Sequence, residues 1–227
     1  MSELFMVRHA QASLGAENYD QLSELGYQQA RWLGDYLADA QLQFDHVFCG
    51  NMARHRQTLE GIRQALGSAC PDEQIMPGLD EFDFKALVSA YRHGCADTQE
   101  PQSIADYYRL LKQALQAWSQ DKLGHQADGS PLPETWQQFQ QRVSQSYQHI
   151  QTLCSGKVLV VSSGGANAMW LSQVLQAPQQ TMIELNLQSI NTGLSHFFFN
   201  RQAMRLSQFN SIPHLDTAER RKHITYG

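Results

Sequence analysis

The sequence predicts an α/β fold: three layers, α/β/α, built on a mostly parallel central sheet and carrying a helical cap insertion. Three observations lead there. Short apolar runs of strand type alternate with segments whose apolar residues recur every three or four positions. Residues 85–149 hold helical patterns rich in Gln and Tyr and no strand-like run. The 227 residues suffice for one large domain with such an insertion. We therefore expect a single domain over 1–227, with 85–149 as the cap.

Leu4 to Val7 reads as the first strand and ends at Arg8-His9. Ser23 then suits a helix N-cap, with Glu24 in the first turn and Ala30, Leu33, Leu37 and Ala40 at helical spacing. Phe44 to Gly50 is a second strand, followed by the helical stretch "MARHRQTLEGIRQAL". A third strand is expected around Gln74 to Pro77, then an irregular acidic loop, "LDEFDF". Beyond the cap, "GKVLVVSSGG" restores the sheet, "NAMWLSQVLQ" is a helix, and "GLSHFFFN" with "QAMRLSQFN" forms a final hairpin.

Apolar residues make up 42% and charged ones 17%, ordinary for a globular chain. No apolar run approaches the roughly 20 residues that span a bilayer, so no membrane partner is expected. The start, "MSELFMVRHA", carries an acid where a secretory signal would carry basic residues, and cytoplasmic location is the expectation. Cys49, Cys70, Cys95 and Cys154 are scattered, without a C-x-x-C pair or a histidine at ligand spacing, so reduced thiols and no metal site are expected. A net charge of −5 and the lack of a basic stretch interleaved with aromatics argue against nucleic acid. Nothing selects between a monomer and a homodimer.

In open α/β sheets ligands gather where the strands end. The residues there are Arg8 and His9, Gly50 to Arg54, Glu81, and Ser162 with Ser163. Arginine presents a planar fork of donors that matches phosphate oxygens, and it stays charged at any working pH. A neutral histidine can attack phosphorus, and a nearby acid must then protonate the leaving alkoxide. Glu81 suits that part, with Asp80 and Asp83 beside it to hold one carboxyl protonated by like-charge repulsion. The turn "VSSGG" leaves three readings open: a serine nucleophile, a phosphate cradle, or a site altered from what the rest of the chain expects. The hydrolase elbow, G-x-S-x-G, lacks its first glycine here.

Six segments, taken in order, carry a resemblance. "LFMVRHAQAS" is similar to the "RHG" signature that opens histidine phosphatase superfamily proteins, the phosphoglycerate mutase-like group. "LSELGYQQA" resembles "LTxxGxxQA", "GNMARHRQT" resembles "SxLxRAxQTA", and "LDEFDF" resembles "LxExxxG". "LPETWQQFQQRV" resembles "GESxxxxxxRV" and "VLVVSSGG" resembles "VLVVSHGG". The resemblance runs from Leu4 to about Leu194. It implies that His9 is the phosphorylated nucleophile, that Arg8 and Arg54 bind the phosphoryl group, and that Glu81 is the proton donor. It places Ser163 where the pocket's second histidine would stand.

Other departures accompany that one. Ala10 replaces the glycine of "RHG", Gly15 falls where many members carry a phosphate-binding asparagine, and Gly50 replaces a serine. The expected function is phosphomonoester hydrolysis through a phosphohistidine on His9, acting on a small phosphorylated substrate or a phosphoprotein without a cofactor. A mutase must keep its phosphoryl group from water and return it, to which a pocket lacking its second histidine is poorly suited. The alternatives are a weakened or inactive phosphate- or phosphoprotein-binding member of the same fold and an esterase using Ser163. Tyr107, Tyr108, Trp118 and Trp136 are read as packing within the insertion, and His46, His125 and His214 as surface residues. His55, Arg56, Arg92 and His93 are basic residues that could reach the mouth of the site, without an assigned place.

Overall fold

The computed structural model describes residues 1–13, 19–95, 100–153 and 155–226. Gly15 and Cys154 lie outside them. Along the chain come β1 (Ser2–Arg8), α1 (Glu24–Asp39), β2 (His46–Cys49), α2 (Ala53–Leu66), β3 (Glu73–Ile75), α3 (Phe84–Gly94), α4 (Ile104–Ser119) and α5 (Trp136–Leu153). They are followed by β4 (Lys157–Ser162), α6 (Gly164–Val174), α7 (Gln179–Leu187), β5 (Leu194–Phe199) and β6 (Met204–Ser211).

The strands form one six-stranded sheet in the order β3-β2-β4-β1-β5-β6. The four strands β3, β2, β4 and β1 run parallel, and β5 and β6 complete the sheet antiparallel at one edge. Val158 to Val161 are fully buried, as their unbroken apolar run requires of a strand covered on both faces. Because side chains alternate along a strand, Phe5 and Val7 join Leu33, Leu37, Leu59 and Ile62 of α1 and α2, whereas Leu4 and Met6 face the opposite layer. This is the α/β/α arrangement with a mostly parallel sheet.

The opposite layer draws on α5. Its sequence, "WQQFQQRVSQSYQHIQTL", is polar at most positions, yet Phe139, Val143, Tyr147 and Ile150 recur at helical spacing and are wholly buried. They share a core cluster with Leu4, Met6, Val158 and Val160, so this helix packs on the sheet although it lies within 85–149. Trp118 and Trp136 meet edge to face at 5.2 Å, and Phe82 packs on both Trp118 and Phe139 at 5.4 Å. That aromatic group ties the acidic loop after β3 to α4 and α5.

Ser23 caps α1 as expected, accepting from the Gly26 amide at 3.0 Å. His46 is half-buried and His125 exposed. His214 departs from its expected surface place: it is 2% exposed, with Nε2 2.8 Å from the Thr192 hydroxyl. Among the described residues no helix is long and apolar enough to cross a membrane, and no group of three or more His, Cys, Asp or Glu could hold a metal ion.

β1 and β4 are neighbours, but the chain leaves β1 across β4 toward β2 and leaves β4 across β1 toward β5. Their carboxyl ends therefore form the switch point of the sheet, where a crevice opens between diverging connections.

Candidate active site

The register Arg8↔Ser162 brings the two strand ends level, and the His9 amide donates to the Ser162 carbonyl at 2.8 Å. Ser162 and Ser163 then part ways. The Ser162 hydroxyl donates to the carbonyl of Leu79 at 2.6 Å, tying the Pro77–Leu79 turn over the end of β4. This fixes where Asp80 and Glu81 emerge. Ser163 occupies the N-cap of α6 but makes no side-chain cap bond; its hydroxyl lies 2.6 Å from His55 Nε2.

Arg142 of α5 holds the same loop from the other side. Its guanidinium donates to the carbonyls of Gly78 at 3.1 Å and Asp80 at 2.7 Å, while Glu134 engages it through both carboxylate oxygens at 2.7 Å. A bidentate pair of this kind has one orientation, so the loop inherits it. Glu81 is thereby set against α6, accepting from the Gly165 amide at 3.0 Å. A side chain at Gly165 would overlap Glu81 Oε1 and the Phe82 ring, so this close approach needs glycine.

His9 is 3% exposed. Its Nδ1 lies 2.8 Å from the Ala10 carbonyl, an acceptor only, so Nδ1 carries the proton and Nε2 the lone pair. Arg54 Nε donates to that Nε2 at 3.1 Å. Arg54 is in turn held by Asp20, whose carboxylate accepts from Nη1 at 2.8 Å and from the Ala53 amide at the start of α2 at 2.8 Å. The Tyr19 ring stands under the Arg54 guanidinium at 5.5 Å. Arg8 donates through Nη1 to the carbonyls of Ser189 and Tyr226, and its Nε reaches the start of α6 beside Gly164.

Burial holds the His9 imidazole well below its ordinary range, helped by Arg54, Arg8 and His55, so it stays neutral. Burial also pushes the Glu81 carboxyl up, against the pull of the Gly165 amide and the two arginines. The expected cause was repulsion from Asp80 and Asp83, and here the expectation is corrected. Asp83 caps α3 through the Ala86 amide at 2.9 Å and Asp80 accepts from the Asn51 amide at 2.6 Å.

The structure thus gathers Arg8, His9, Arg54, Glu81 and Ser163 at the ends of β1 and β4. Sequence reasoning left His55 without a place. It is 0% exposed, and its ring centroid lies 5.6 Å from that of His9. Arg56 is exposed, while Arg92 and His93 line a separate cavity of about 460 Å³ with Lys85, Ser89 and Tyr107. Tyr107, expected to pack within the insertion, faces that cavity.

The sequence profile of the histidine phosphatase superfamily (branch 1) matches residues 4–212. The chain belongs to that superfamily. No curated protein sequence matches it. Among solved structures it is similar to phosphoserine phosphatase from Entamoeba histolytica, with 18% identity, a TM-score of 0.64 and coverage of 95% of this chain and 100% of that one. It is similar to the alpha-ribazole phosphatase of Shigella flexneri, with 23% identity, a TM-score of 0.59 and coverage of 92% and 96%. Phosphoglycerate mutase from Bacillus anthracis matches with 16% identity, a TM-score of 0.66 and coverage of 94% of both chains. At these identities the likeness to each structure is one of fold.

Proposed function

We propose that this histidine phosphatase superfamily protein hydrolyses phosphomonoesters through a phosphohistidine on His9. The observation that carries the reading is the state of that imidazole: neutral, with Nδ1 fixed on the Ala10 carbonyl and Nε2 facing the guanidinium of Arg54. The Nε2 lone pair attacks phosphorus, the bond to the ester oxygen breaks, and its electron pair leaves with that oxygen. Glu81, whose carboxyl is biased toward its protonated form, gives the leaving alkoxide its proton. Water then attacks the phosphohistidine, Glu81 takes the water proton, and the N–P electron pair returns to His9. Arg8 and Arg54 neutralise the transferring group throughout.

A serine hydrolase reading has one observation in its favour, the line Ser163–His55–Asp80. Two observations weigh against it. Ser163 has φ −104°, ordinary extended backbone rather than a strained elbow, and the turn lacks the first glycine of G-x-S-x-G.

The test is phosphate release from phosphomonoesters, sugar phosphates and phosphopeptides by the native protein and His9→Ala. We expect native turnover and a loss on the order of 10⁴- to 10⁶-fold in the variant, the scale on which a missing covalent nucleophile is felt. Native protein that binds vanadate but releases no phosphate would make the site a phosphate binder.

A further inference from the structure

We propose that His55, carried on α2, is the pocket's second imidazole, acting on the phosphoryl group through the hydroxyl of Ser163. The inference rests on the phosphatase reading and adds a residue that the sequence motifs do not assign.

Three departures from the quoted motifs form one packing unit. The pattern "SxLxRAxQTA" places serine at residue 50 and alanine at residue 55, and "VLVVSHGG" places histidine at residue 163; here they are Gly50, His55 and Ser163. The His55 ring fills space beside residue 163, its Nε2 2.6 Å from Ser163 Oγ, and both side chains are fully buried. A Cβ at Gly50 would overlap His55 Nδ1 and stand 2.7 Å from Asp80 Oδ1, so the ring in this place excludes serine at residue 50. Relative to the quoted patterns, an imidazole stands in the first turn of α2 instead of the β4–α6 turn, and the residues beside it are smaller.

The chemistry follows from what each atom can reach. Asp80 Oδ1 lies 3.6 Å from His55 Nδ1, beyond hydrogen-bond length but close enough to favour positive charge on the ring. Burial and Arg54 keep the imidazole neutral, and a phosphate dianion beside Ser163 would offset both. With Nε2 protonated, His55 donates to Ser163 Oγ, which leaves the Ser163 O–H to donate to a phosphoryl oxygen. His55 does not touch the phosphoryl group, so it is a positioning residue.

The experiment compares the native full chain with His55→Ala, His55→Gln, Ser163→His and the double variant His55→Ala/Ser163→His. Two readouts are taken on each folded protein: kcat and KM for phosphate release, and the Kd for vanadate. We expect His55→Ala to lower kcat/KM by roughly 10- to 10²-fold, less than the cost of deleting a transition-state donor outright, because the Ser163 hydroxyl remains but loses the group that orients it. His55→Gln, whose amide can still donate to Ser163, falls between it and the native protein. Ser163→His alone is impaired, because two imidazoles compete for one space. The double variant, with a single imidazole at residue 163, recovers to within about 10-fold of native. A merely structural His55 predicts the opposite, a double variant worse than either single one. If the native protein releases no phosphate, the phosphatase reading fails, and vanadate affinity still judges the relay by weakening in His55→Ala and recovering in the double variant. The proposal is overturned if His55→Ala keeps native turnover and affinity, or if carboxyl esters are hydrolysed by native protein and by His9→Ala but not by His55→Ala.

Discussion

The ends of β1 and β4 and the face of α3 and α4 both offer basic residues to a ligand, but they are built differently. At the strand ends, His9, Arg54, His55 and Ser163 are buried and each is fixed by a partner of its own. In the cavity of α3 and α4, Lys85 is exposed, and Ser89, His93 and Tyr107 are half-buried or exposed. The first region sets protonation states through desolvation; the second supplies charge that water screens. On the phosphatase reading proposed above, the contrast would put the chemistry at the strand ends and leave substrate selection to the helices.

The sharpest break in that contrast is Glu81→Gln. Glutamine keeps the shape and can occupy the place beside the Gly165 amide, but it has no proton to give. Loss of general acid help costs on the order of 10²- to 10⁴-fold, and the cost should track the leaving group. We expect kcat on an alkyl phosphate to fall over that range while a nitrophenyl phosphate, which departs readily as its anion, falls far less. The paired rates check this, and equal losses on both substrates would remove Glu81 from the proton path.

That residue also shows how far the sequence was legible. The apolar runs announced the strands, and residues that follow a strand in an α/β sheet are brought together by topology alone, which is why Arg8, His9, Arg54 and Ser163 could be named. Glu81 could be named as a candidate acid beyond the third strand, and the resemblance gave it the same part, but its placement depends on Ser162 binding Leu79 and on Arg142 binding the loop carbonyls, which no motif states. "PETWQQFQQRV" contains both members of the Glu134–Arg142 pair, but nothing in the string says that the arginine reaches 62 residues back to Asp80. His55 was harder still. Its partner lies 108 residues away, and the only signal was an imidazole where the pattern carries a methyl group. The buried face of α5 escaped because four apolar residues are spread among glutamines and serines.

A second effect, on stability and not on rate, is read through pH. His9 and His55 are held well below their ordinary range, and burial with Arg220 nearby brings His214 down to about 3. Each stays neutral in the fold while the unfolded chain protonates near pH 6.5, so below that pH each group lowers stability by about 1.4 kcal/mol per pH unit until its folded value is reached. Above pH 6.5 these histidines contribute no slope. Glu81, shifted upward, has the opposite sign and loses stability as pH rises above 4.5 toward its folded value. Urea unfolding at pH 7, 6 and 5 should show stability falling with acid, and His214→Gln should flatten that fall. A midpoint unchanged from pH 7 to pH 5 would mean that these rings are not neutral in the fold.

The smallest effect tests the helical face. The Tyr19 ring stands between Arg54 at 5.5 Å and the Lys85 ammonium at 5.7 Å, so it links the strand-end cluster to the cavity of α3 and α4. An anionic group on the far side of a substrate's ester would meet Lys85 there, across solvent. An exposed charge is worth about 0.2–1 kcal/mol, so Lys85→Ala should raise KM by roughly 1.5- to 5-fold for substrates with a second anionic group. Phosphomonoesters without a second anionic group should show no change, and kcat should hold for both, because Lys85 acts on binding and not on the transferring group. Added salt should shrink the difference between the two substrates in the native protein, as it would for any screened contact. Should kcat fall as KM holds, Lys85 would belong with the buried cluster, and the division between a desolvated chemical centre and a solvated selecting face would have to be redrawn around Tyr19.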